Sequence, residues 1–451
     1  MSRRYLSQVL STALVIVMST SVLAGEDNKL THEDKIYGLS LFWKEASDNF
    51  AYFDQVPELD FDAAYQGFIP RVLATQSDYE YYRELMRFNA LLKDGHTNVY
   101  LPQGLEQGHI DWPSIGLYEA NKEAVVISTS LALQHSIPLG STLVKLDDVE
   151  LATYLEASVM PYIASSTEHI LWHSAVRDAL DGKPGSHVKL TLKTPQGEIK
   201  QLTLTRDNNL RKRANPEESE RISLKRAQSN GELFEFKWLE PGMGYLALNG
   251  FHDKQILTDF YAALDDIRKA KRLIIDLRFN GGGDSLIAAE ILSHFSETEL
   301  KGAIWKTRKH IAAFKAWGKY DANYKVYADD NAWESGEMEI FPSKENPIIV
   351  PTYVLTSRDT ASAAEDFLIY ADPLAHFTVL GEKTYGSTGQ PIFFDLPGGG
   401  SFRICTKRDT YPDGREFVGY GITPDVLMTI TAERLIAEQD FMLEEAINRL
   451  K

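Results

Sequence analysis

The sequence predicts a mixed α/β protein built from more than one domain. Residues 31–93 carry apolar side chains at helical spacing, and residues 112–206 contain several short strand patterns. From residue 234 onward, strand patterns alternate with helical patterns. A chain of 451 residues is also too long for one ordinary hydrophobic core. We therefore expect two or three domains, with an α/β domain at the C-terminal end.

The first 24 residues resemble a cleaved export signal. Arg3 and Arg4 precede an apolar stretch over residues 6–23, which ends in the small-residue sequence Val22-Leu23-Ala24. An uncleaved membrane anchor is the alternative, but the serines and threonines in the stretch make a spanning helix marginal. We expect a signal peptide over residues 1–24, a mature chain that starts at Gly25, and a periplasmic or secreted protein. No stable membrane insertion is expected after cleavage.

The composition argues against several classes of partner and cofactor. A formal net charge of −17 would repel nucleic acid and anionic membrane surfaces. The single cysteine, Cys405, cannot form an internal disulfide, and no cysteine cluster suggests zinc. We read Cys405 as a half-buried strand residue and expect neither a metal nor another cofactor. The oligomeric state stays open.

Residues 25–100 are predicted to form a helical region. Ile36, Leu39, Phe42 and Trp43 recur at helical spacing, and aromatic residues are dense around them. An aromatic ligand cage is one reading of this density. Packing between helices is the reading we favour.

Residues 101–207 are predicted to form an inserted β-rich domain. Strand patterns cover residues 124–128, 188–192 and 202–205, and a turn signal at residues 195–197 joins the last two. The stretches 139–148 and 182–186 resemble turns of PDZ domains, which bind extended peptides by strand addition. A structural β-domain without a ligand groove is the alternative. A charged linker is expected over residues 208–233.

The predicted catalytic core, residues 234–451, contains two segments of one design. A strand over residues 273–278 leads through glycine-rich residues 279–284 into a helix near Ser285. A second strand over residues 347–355 leads through residues 356–361 into a helix that begins at Ser362. Such units build mainly parallel sheets, and ligands collect at the carboxyl ends of the strands. A terminal amphipathic helix is expected over residues 431–451.

The meeting of these two segments would suit acyl transfer. A serine at a helix start lies beside free backbone N–H groups, here that of Ala363. The consecutive glycines Gly281 and Gly282 would let a second N–H approach a substrate, which would complete an oxyanion hole. A phosphate loop, a plain turn or a simple N-cap would explain each piece alone. The run lacks the spacing and the lysine of nucleotide-binding loops.

His96, in Asp94-Gly95-His96-Thr97, is the candidate base for Ser362. An imidazole with an ordinary pKa of about 6.5 suits proton transfer near neutrality. The separation of 266 positions (362 − 96) leaves contact between the two side chains unproven by sequence.

Taken together, these segments resemble the C-terminal processing, or tail-specific, serine peptidases. Residues 94–97, 276–283, 356–365, 381–386 and 419–425 follow the order of that family's motifs, which also occur in the core of tricorn protease. The resemblance implies an α/β core of the ClpP/crotonase type. It also implies Ser362 as the nucleophile and oxyanion donors at Ala363 and the Gly281-Gly282 turn.

The sequence departs from both branches of that family. The branch with a serine–lysine dyad has its lysine where this chain has Ser387, and Lys383 lies four residues earlier. The tricorn-like branch, to which the chain is closer, has an acid where we align Val418. We take Glu416 as the tentative third residue, since it would share a strand face with Val418, and Asp409 as the runner-up.

The resemblance implies an exported serine endopeptidase that acts on protein or peptide substrates through Ser362 and His96. A non-catalytic peptide- or ligand-binding protein on the same scaffold is one alternative, which the missing acid favours. A small-ester or amide hydrolase is the other.

Overall fold

The computed structural model describes residues 29–208, 221–225, 231–309, 312–328, 333–437 and 439–451. The predicted signal peptide and most of the predicted linker lie outside the described residues. The α-helices are α1 His32–Asn49, α2 Phe61–Ala74, α3 Asp78–Ala90, α4 Gln103–His109, α5 Leu151–Ser158, α6 Glu168–Arg177, α7 Gln255–Ile267, α8 Ser285–Leu292, α9 Ala312–Gly318, α10 Lys325–Ala328, α11 Ala363–Ala371, α12 Ala432–Ile436 and α13 Phe441–Leu450. None of these helices combines the length and the apolar character needed to cross a membrane.

The strands fall into a β-rich group before residue 224 and an α/β group after residue 233. They are β1 Asn98–Tyr100, β2 Ile115–Ala120, β3 Glu123–Ser130, β4 Thr142–Leu146, β5 Val149–Glu150, β6 His187–Lys193, β7 Ile199–Thr205, β8 Arg221–Ser223, β9 Phe234–Glu240, β10 Met243–Leu248, β11 Arg272–Asp276, β12 Leu300–Lys301, β13 Ile304–Arg308, β14 Trp333–Ser335, β15 Ile340–Phe341, β16 Thr352–Thr356, β17 Phe377–Gly381, β18 Ile392–Asp395, β19 Ser401–Ile404, β20 Lys407–Thr410 and β21 Val426–Leu427.

The N-terminal helices pack onto the β18–β19 hairpin of the C-terminal part. The ring centroids of Phe42 and Phe402 lie 5.1 Å apart, and the Tyr82 hydroxyl donates to the carbonyl of Pro397 at 2.6 Å. The helices α1–α3 therefore share one hydrophobic core with the α/β part. Aromatic packing between helices, rather than a ligand cage, accounts for the aromatic density there.

The β-rich segment has its own hydrophobic core, formed by residues between Ile115 and Leu204. Within the described residues its sheet has the order β2-β3-β4-β6-β7, so β2 is an edge strand, and helix α6 packs against β2. The predicted strands 124–128, 188–192 and 202–205 are present as β3, β6 and β7. The expected linker was partly wrong, because residues 221–223 form β8 and pair with β3.

The sheet that positions the site has the order β21-β17-β16-β11-β10-β9 in the described residues. Its neighbouring strands run parallel, except that β9 is antiparallel to β10. The strands β11 and β16 are direct neighbours, with Asp276 opposite Leu355. The loops that follow these two strands therefore leave the sheet at one edge, as the sequence predicts.

Two predicted elements differ in extent. The strand expected over residues 347–355 begins only at Thr352, directly after Pro351, which has no N–H for sheet pairing. The single terminal helix expected over residues 431–451 is two helices, α12 and α13. A new helix starts because the Asp440 side chain accepts the N–H of Leu443 at 3.1 Å.

Candidate active site

Ser362 occupies a sharp turn between strand β16 and helix α11, where it is the N-cap residue. Its backbone has φ 55° and ψ −123°, a conformation that residues other than glycine rarely adopt. Such strain persists only where the surrounding structure enforces it, and it is typical of nucleophiles on strand-to-helix turns. Ala363 is the first helical residue, so its N–H has no partner within the helix.

The glycine loop meets this turn directly. A Cβ added to Gly282, whose φ is 99°, would lie 2.6 Å from the Cβ of Ser362 and 3.0 Å from the nitrogen of Ala363. Only glycine fits there, because both the space and the backbone angle exclude a side chain. The expected meeting of Ser362 with the glycine run is therefore observed.

The two glycines differ in what they offer a substrate. The Gly282 N–H donates to the Oδ1 of Asn280 at 2.9 Å, so in this arrangement it is already engaged. Gly281 is exposed, and no atom lies within 4 Å of the position of a Cβ on it. Gly282 stays an expected donor, but in this arrangement the N–H groups of Gly281 and Ala363 are the better candidates for an oxyanion hole.

His96 lies in a turn that is held from three sides. Asp94 accepts the hydroxyl of Thr97 at 2.6 Å, and Ser166 of the β-rich segment accepts the N–H of Gly95 at 2.8 Å. The Thr97 hydroxyl also accepts the N–H of Cys405 at 3.0 Å, next to the pairing of β1 with β19. The turn is therefore anchored to the α/β part although it follows the N-terminal helices. Cys405 is fully buried just after β19, rather than half-buried within a strand.

The imidazole of His96 is buried and neutral. Its exposed fraction is 8%, and burial, followed by the charge of Arg403, lowers its pKa to about 3. Its Nδ1 lies 2.5 Å from the hydroxyl oxygen of Ser387, which is itself fully buried. This contact leaves Nε2 as the ring nitrogen available to a nucleophile.

A backbone hydrogen bond joins the residue that contacts His96 to the candidate nucleophile. The Ser362 N–H donates to the carbonyl of Ser387 at 3.2 Å. His96 and Ser362, 266 positions apart in the chain (362 − 96), are thereby brought to the same small region. Sequence reasoning noted Ser387 only as the place of a missing lysine.

Glu365 is a second residue whose role sequence reasoning missed. Its fully buried carboxylate accepts the Thr384 hydroxyl at 2.5 Å and the N–H groups of Gly386 at 2.8 Å, Ser387 at 3.2 Å and Ser362 at 3.2 Å. Burial raises its pKa to about 7, against the lowering effect of these donors. The signal in the sequence is an acidic residue three positions after the helix-start serine, as in a capping box.

The two candidate acids have other partners. Glu416 lies outside any strand, so the shared strand face we expected with Val418 is absent. The Oε1 of Glu416 lies 2.5 Å from the guanidinium of Arg408, which also binds Asp54. Asp409 is buried on β20, 3.4 Å from the Nζ of Lys407. Among the described residues, the ring of His96 has Ser387 as its side-chain hydrogen-bond partner.

Arg358 connects the turn that carries Ser362 to the β-rich segment. It lies four residues before Ser362 and is 7% exposed. Its guanidinium donates to the carbonyl and the carboxylate of Glu119 on β2, to the Nδ1 of His173 on α6 and to Glu382. A cleft of about 550 Å³ lies beside this contact. Residues of the β-rich segment and of the α/β part line it, and Lys383 is one of the latter.

The chain is similar to known peptidases. Residues 242–428 match the sequence profile of peptidase family S41. The carboxyl-terminal-processing protease of Picosynechococcus sp. is 25% identical over 399 residues, which cover 85% of this chain and 82% of that protein. The carboxy-terminal-processing protease of Bartonella bacilliformis is 28% identical over 196 residues, which cover 42% of this chain and 39% of that protein.

The fold resembles that of mature CPAF, solved in complex with lactacystin. The TM-score is 0.70 at 12% identity, with 93% of this chain and 98% of that chain covered. This likeness concerns the fold alone. Residues 242–428 are thus similar to peptidase family S41, and the protein is a serine-type peptidase.

Proposed function

We propose that the protein is an exported serine endopeptidase with Ser362 as nucleophile and His96 as general base. The observation that carries the proposal is the strained turn at Ser362, which lies against Gly282. The backbone N–H of Ser362 donates to the carbonyl of Ser387, and the hydroxyl of Ser387 contacts the ring of His96. A serine at a helix start, a neutral imidazole and unengaged backbone N–H groups are the parts that acyl transfer requires.

In the proposed reaction, Ser362 Oγ attacks the carbonyl carbon of the scissile peptide bond while Nε2 of His96 takes the hydroxyl proton. The carbonyl oxygen becomes an oxyanion, and the N–H groups of Ala363 and Gly281 donate to it. Collapse of this intermediate breaks the C–N bond, and the imidazolium gives its proton to the leaving amine. A water molecule, deprotonated by His96, then hydrolyses the acyl-enzyme and restores Ser362.

The test is labelling with a fluorophosphonate, followed by mapping of the labelled residue. We expect label on Ser362, and at least a ~10³-fold loss of peptidase activity in Ser362→Ala, since removal of a nucleophile has this effect. Ser343→Ala, which changes a serine that contacts the carbonyl of Glu297 instead, is the control. Normal turnover by a folded Ser362→Ala protein would refute the proposal. If the wild-type protein cleaves small esters but no peptide, the ester or amide hydrolase would be favoured instead.

We further propose that residues 101–207 form a PDZ-like domain, inserted between a helical region over 25–100 and a ClpP/crotonase-type core over 234–451. The edge strand β2 and the helix α6 flank a cleft, an arrangement that suits strand addition by an extended peptide. The domain would select or gate substrates and supply no chemical group. The test is titration of the protein with C-terminal peptides of substrates. Unchanged binding after substitutions along β2 would identify the segment as merely structural.

Export rests on the sequence of residues 1–24. We propose cleavage before Gly25 and a periplasmic or secreted location. N-terminal sequencing of the protein recovered from outside the cytoplasm is the test, and an intact Met1 would contradict it.

A further inference from the structure

The base of a serine peptidase needs a partner that fixes its ring, and in this chain that partner is a hydroxyl. A carboxylate on Nδ1 ordinarily holds the imidazole in the correct tautomer and stabilises its charged form. Here Nδ1 of His96 faces the Oγ of Ser387 at 2.5 Å.

The carboxylates that could be considered for this role bind other groups. Asp94 accepts the hydroxyls of Thr97 at 2.6 Å and of Ser166 at 3.2 Å. Glu416 lies on Arg408. Glu365 accepts donors that hold the backbone around Ser387, rather than the imidazole. The contact with Ser387 is therefore the interaction that orients the ring.

Ser387 is itself fixed on several sides. Its N–H donates to Glu365 at 3.2 Å, and its carbonyl accepts the N–H of Ser362 at 3.2 Å. A Cβ on Gly95 would lie 3.2 Å from the Ser387 hydroxyl, so the His96 turn presses closely on it. A group this constrained can set the position of the imidazole relative to the nucleophile.

We propose that Ser387 is the positioning residue of His96, with Nδ1–H donating to the Ser387 hydroxyl oxygen so that Nε2 stays unprotonated for Ser362. This inference rests on the proposed roles of Ser362 and His96. The hydroxyl is neutral, so it orients the ring and selects its tautomer but stabilises the imidazolium less than a carboxylate would.

The first test is Ser387→Ala. We expect kcat to fall about 10- to 100-fold with KM changed less than about twofold, since an orienting partner is lost while the substrate-binding groups stay. The matched control is Ser296→Ala, because Ser296 is also fully buried, and its hydroxyl donates to the carbonyl of Thr298 at 2.7 Å and accepts the N–H of the same residue at 3.2 Å. If Ser296→Ala loses as much stability as Ser387→Ala but keeps a normal kcat, the fall in kcat of Ser387→Ala is due to lost positioning of His96 and not to general structural damage.

The second test needs no variant. The ¹⁵N and ¹H NMR signals of His96 in the wild-type protein report which ring nitrogen carries the proton. A proton on Nδ1 supports the inference, and a proton on Nε2 with a bare Nδ1 overturns it. Turnover by Ser387→Ala within twofold of wild type would also overturn it.

These outcomes are distinct from failure of the proposed function. A folded Ser362→Ala protein with normal activity would remove the serine mechanism altogether. An inactive Ser362→Ala beside a fully active Ser387→Ala would keep the serine mechanism and refute the positioning role alone.

Discussion

At the residue scale, burial determines the charge of the proposed base. The ring of His96 is neutral near pH 7 because burial lowers its pKa to about 3. Lys383, the alternative base, lines the cleft between the β-rich segment and the core. We expect His96→Ala to lower activity about as severely as Ser362→Ala, because members of a catalytic unit are strongly non-additive. Lys383→Ala should keep most activity, and so should Glu416→Gln, whose carboxylate binds Arg408. The measurement is peptidase kinetics, with folding checked by circular dichroism.

An active His96→Ala beside an inactive Lys383→Ala would restore a serine–lysine mechanism. An intermediate loss in Glu416→Gln would reinstate that residue as a support of the imidazole.

The same pKa values predict an unusual pH profile. The carboxylate of Glu365 has a pKa raised to about 7 by burial, and all its partners are donors. Protonation of the Glu365 carboxylate would convert one of its acceptor oxygens into an O–H group, which could no longer accept all of these hydrogen bonds. We therefore expect kcat/KM to fall as pH drops below about 7, while His96, with a pKa of about 3, stays neutral over that range. NMR titration of the His96 ring beside the kinetics is the measurement. A ring that titrates together with the activity would contradict the assignment to Glu365.

From the sequence, a site residue could be predicted only where its own segment has a recognisable local pattern. Ser362 stands at a helix start and Gly282 in a glycine run, so each has a local pattern. The link between His96 and Ser387 spans 291 positions (387 − 96), and no local pattern marks it. Ser387 therefore entered the sequence argument only as an absent lysine, and Glu416 was favoured on an assumed strand that does not form.

At the element scale, the glycine loop packs closely against the turn that carries Ser362. Gly282→Ala would add a Cβ 2.6 Å from that of Ser362 at a φ of 99°. The unfavourable backbone conformation alone costs about 1–2 kcal/mol, and the clash would displace the nucleophile. We expect fluorophosphonate labelling of Ser362 to be lost or strongly slowed. Gly108→Ala on helix α4 is the control, because its added Cβ meets no atom within 4 Å, and it should keep normal folding and labelling.

Equal labelling of the two glycine variants would show that the loop does not constrain Ser362.

The strands and helices themselves were largely predictable, since their signals are local. The periodic apolar residues of α1–α3 and the paired strand–loop–helix units lie where the sequence indicates. The errors arose at boundaries and in charged stretches. Strand β16 begins only after Pro351, and Asp440 caps a second terminal helix. Strand β8 forms because it pairs with β3, which is distant in the sequence.

At the scale of the whole molecule, Arg358 joins the β-rich segment to the turn that carries Ser362. Its guanidinium is buried between Glu119 and Glu382. Arg358→Ala would leave both carboxylates buried without their counter-charge, which typically costs about 3–5 kcal/mol. We expect a marked drop in the free energy of unfolding, measured by denaturant titration.

The control for this prediction is Lys122→Ala. The pair between Lys122 and Glu168 has side-chain exposures of 61% and 72%, so its loss should change stability by less than about 1 kcal/mol. Similar losses in both variants would show that the interface does not depend on Arg358.

The backbone angles of Ser362 place the proposed nucleophile in a conformation that lowers the stability of the fold. A φ of 55° with a ψ of −123° is a conformation that glycine adopts readily, and any other residue there lowers the free energy of unfolding by about 1–3 kcal/mol. Ser362→Gly should therefore unfold at a higher temperature than both the wild type and Ser362→Ala, although it cannot form an acyl-enzyme. Calorimetric scans of the three proteins would reveal this trade-off. Under the proposed function, the strain at Ser362 is a stability cost of placing a hydroxyl at the reactive position.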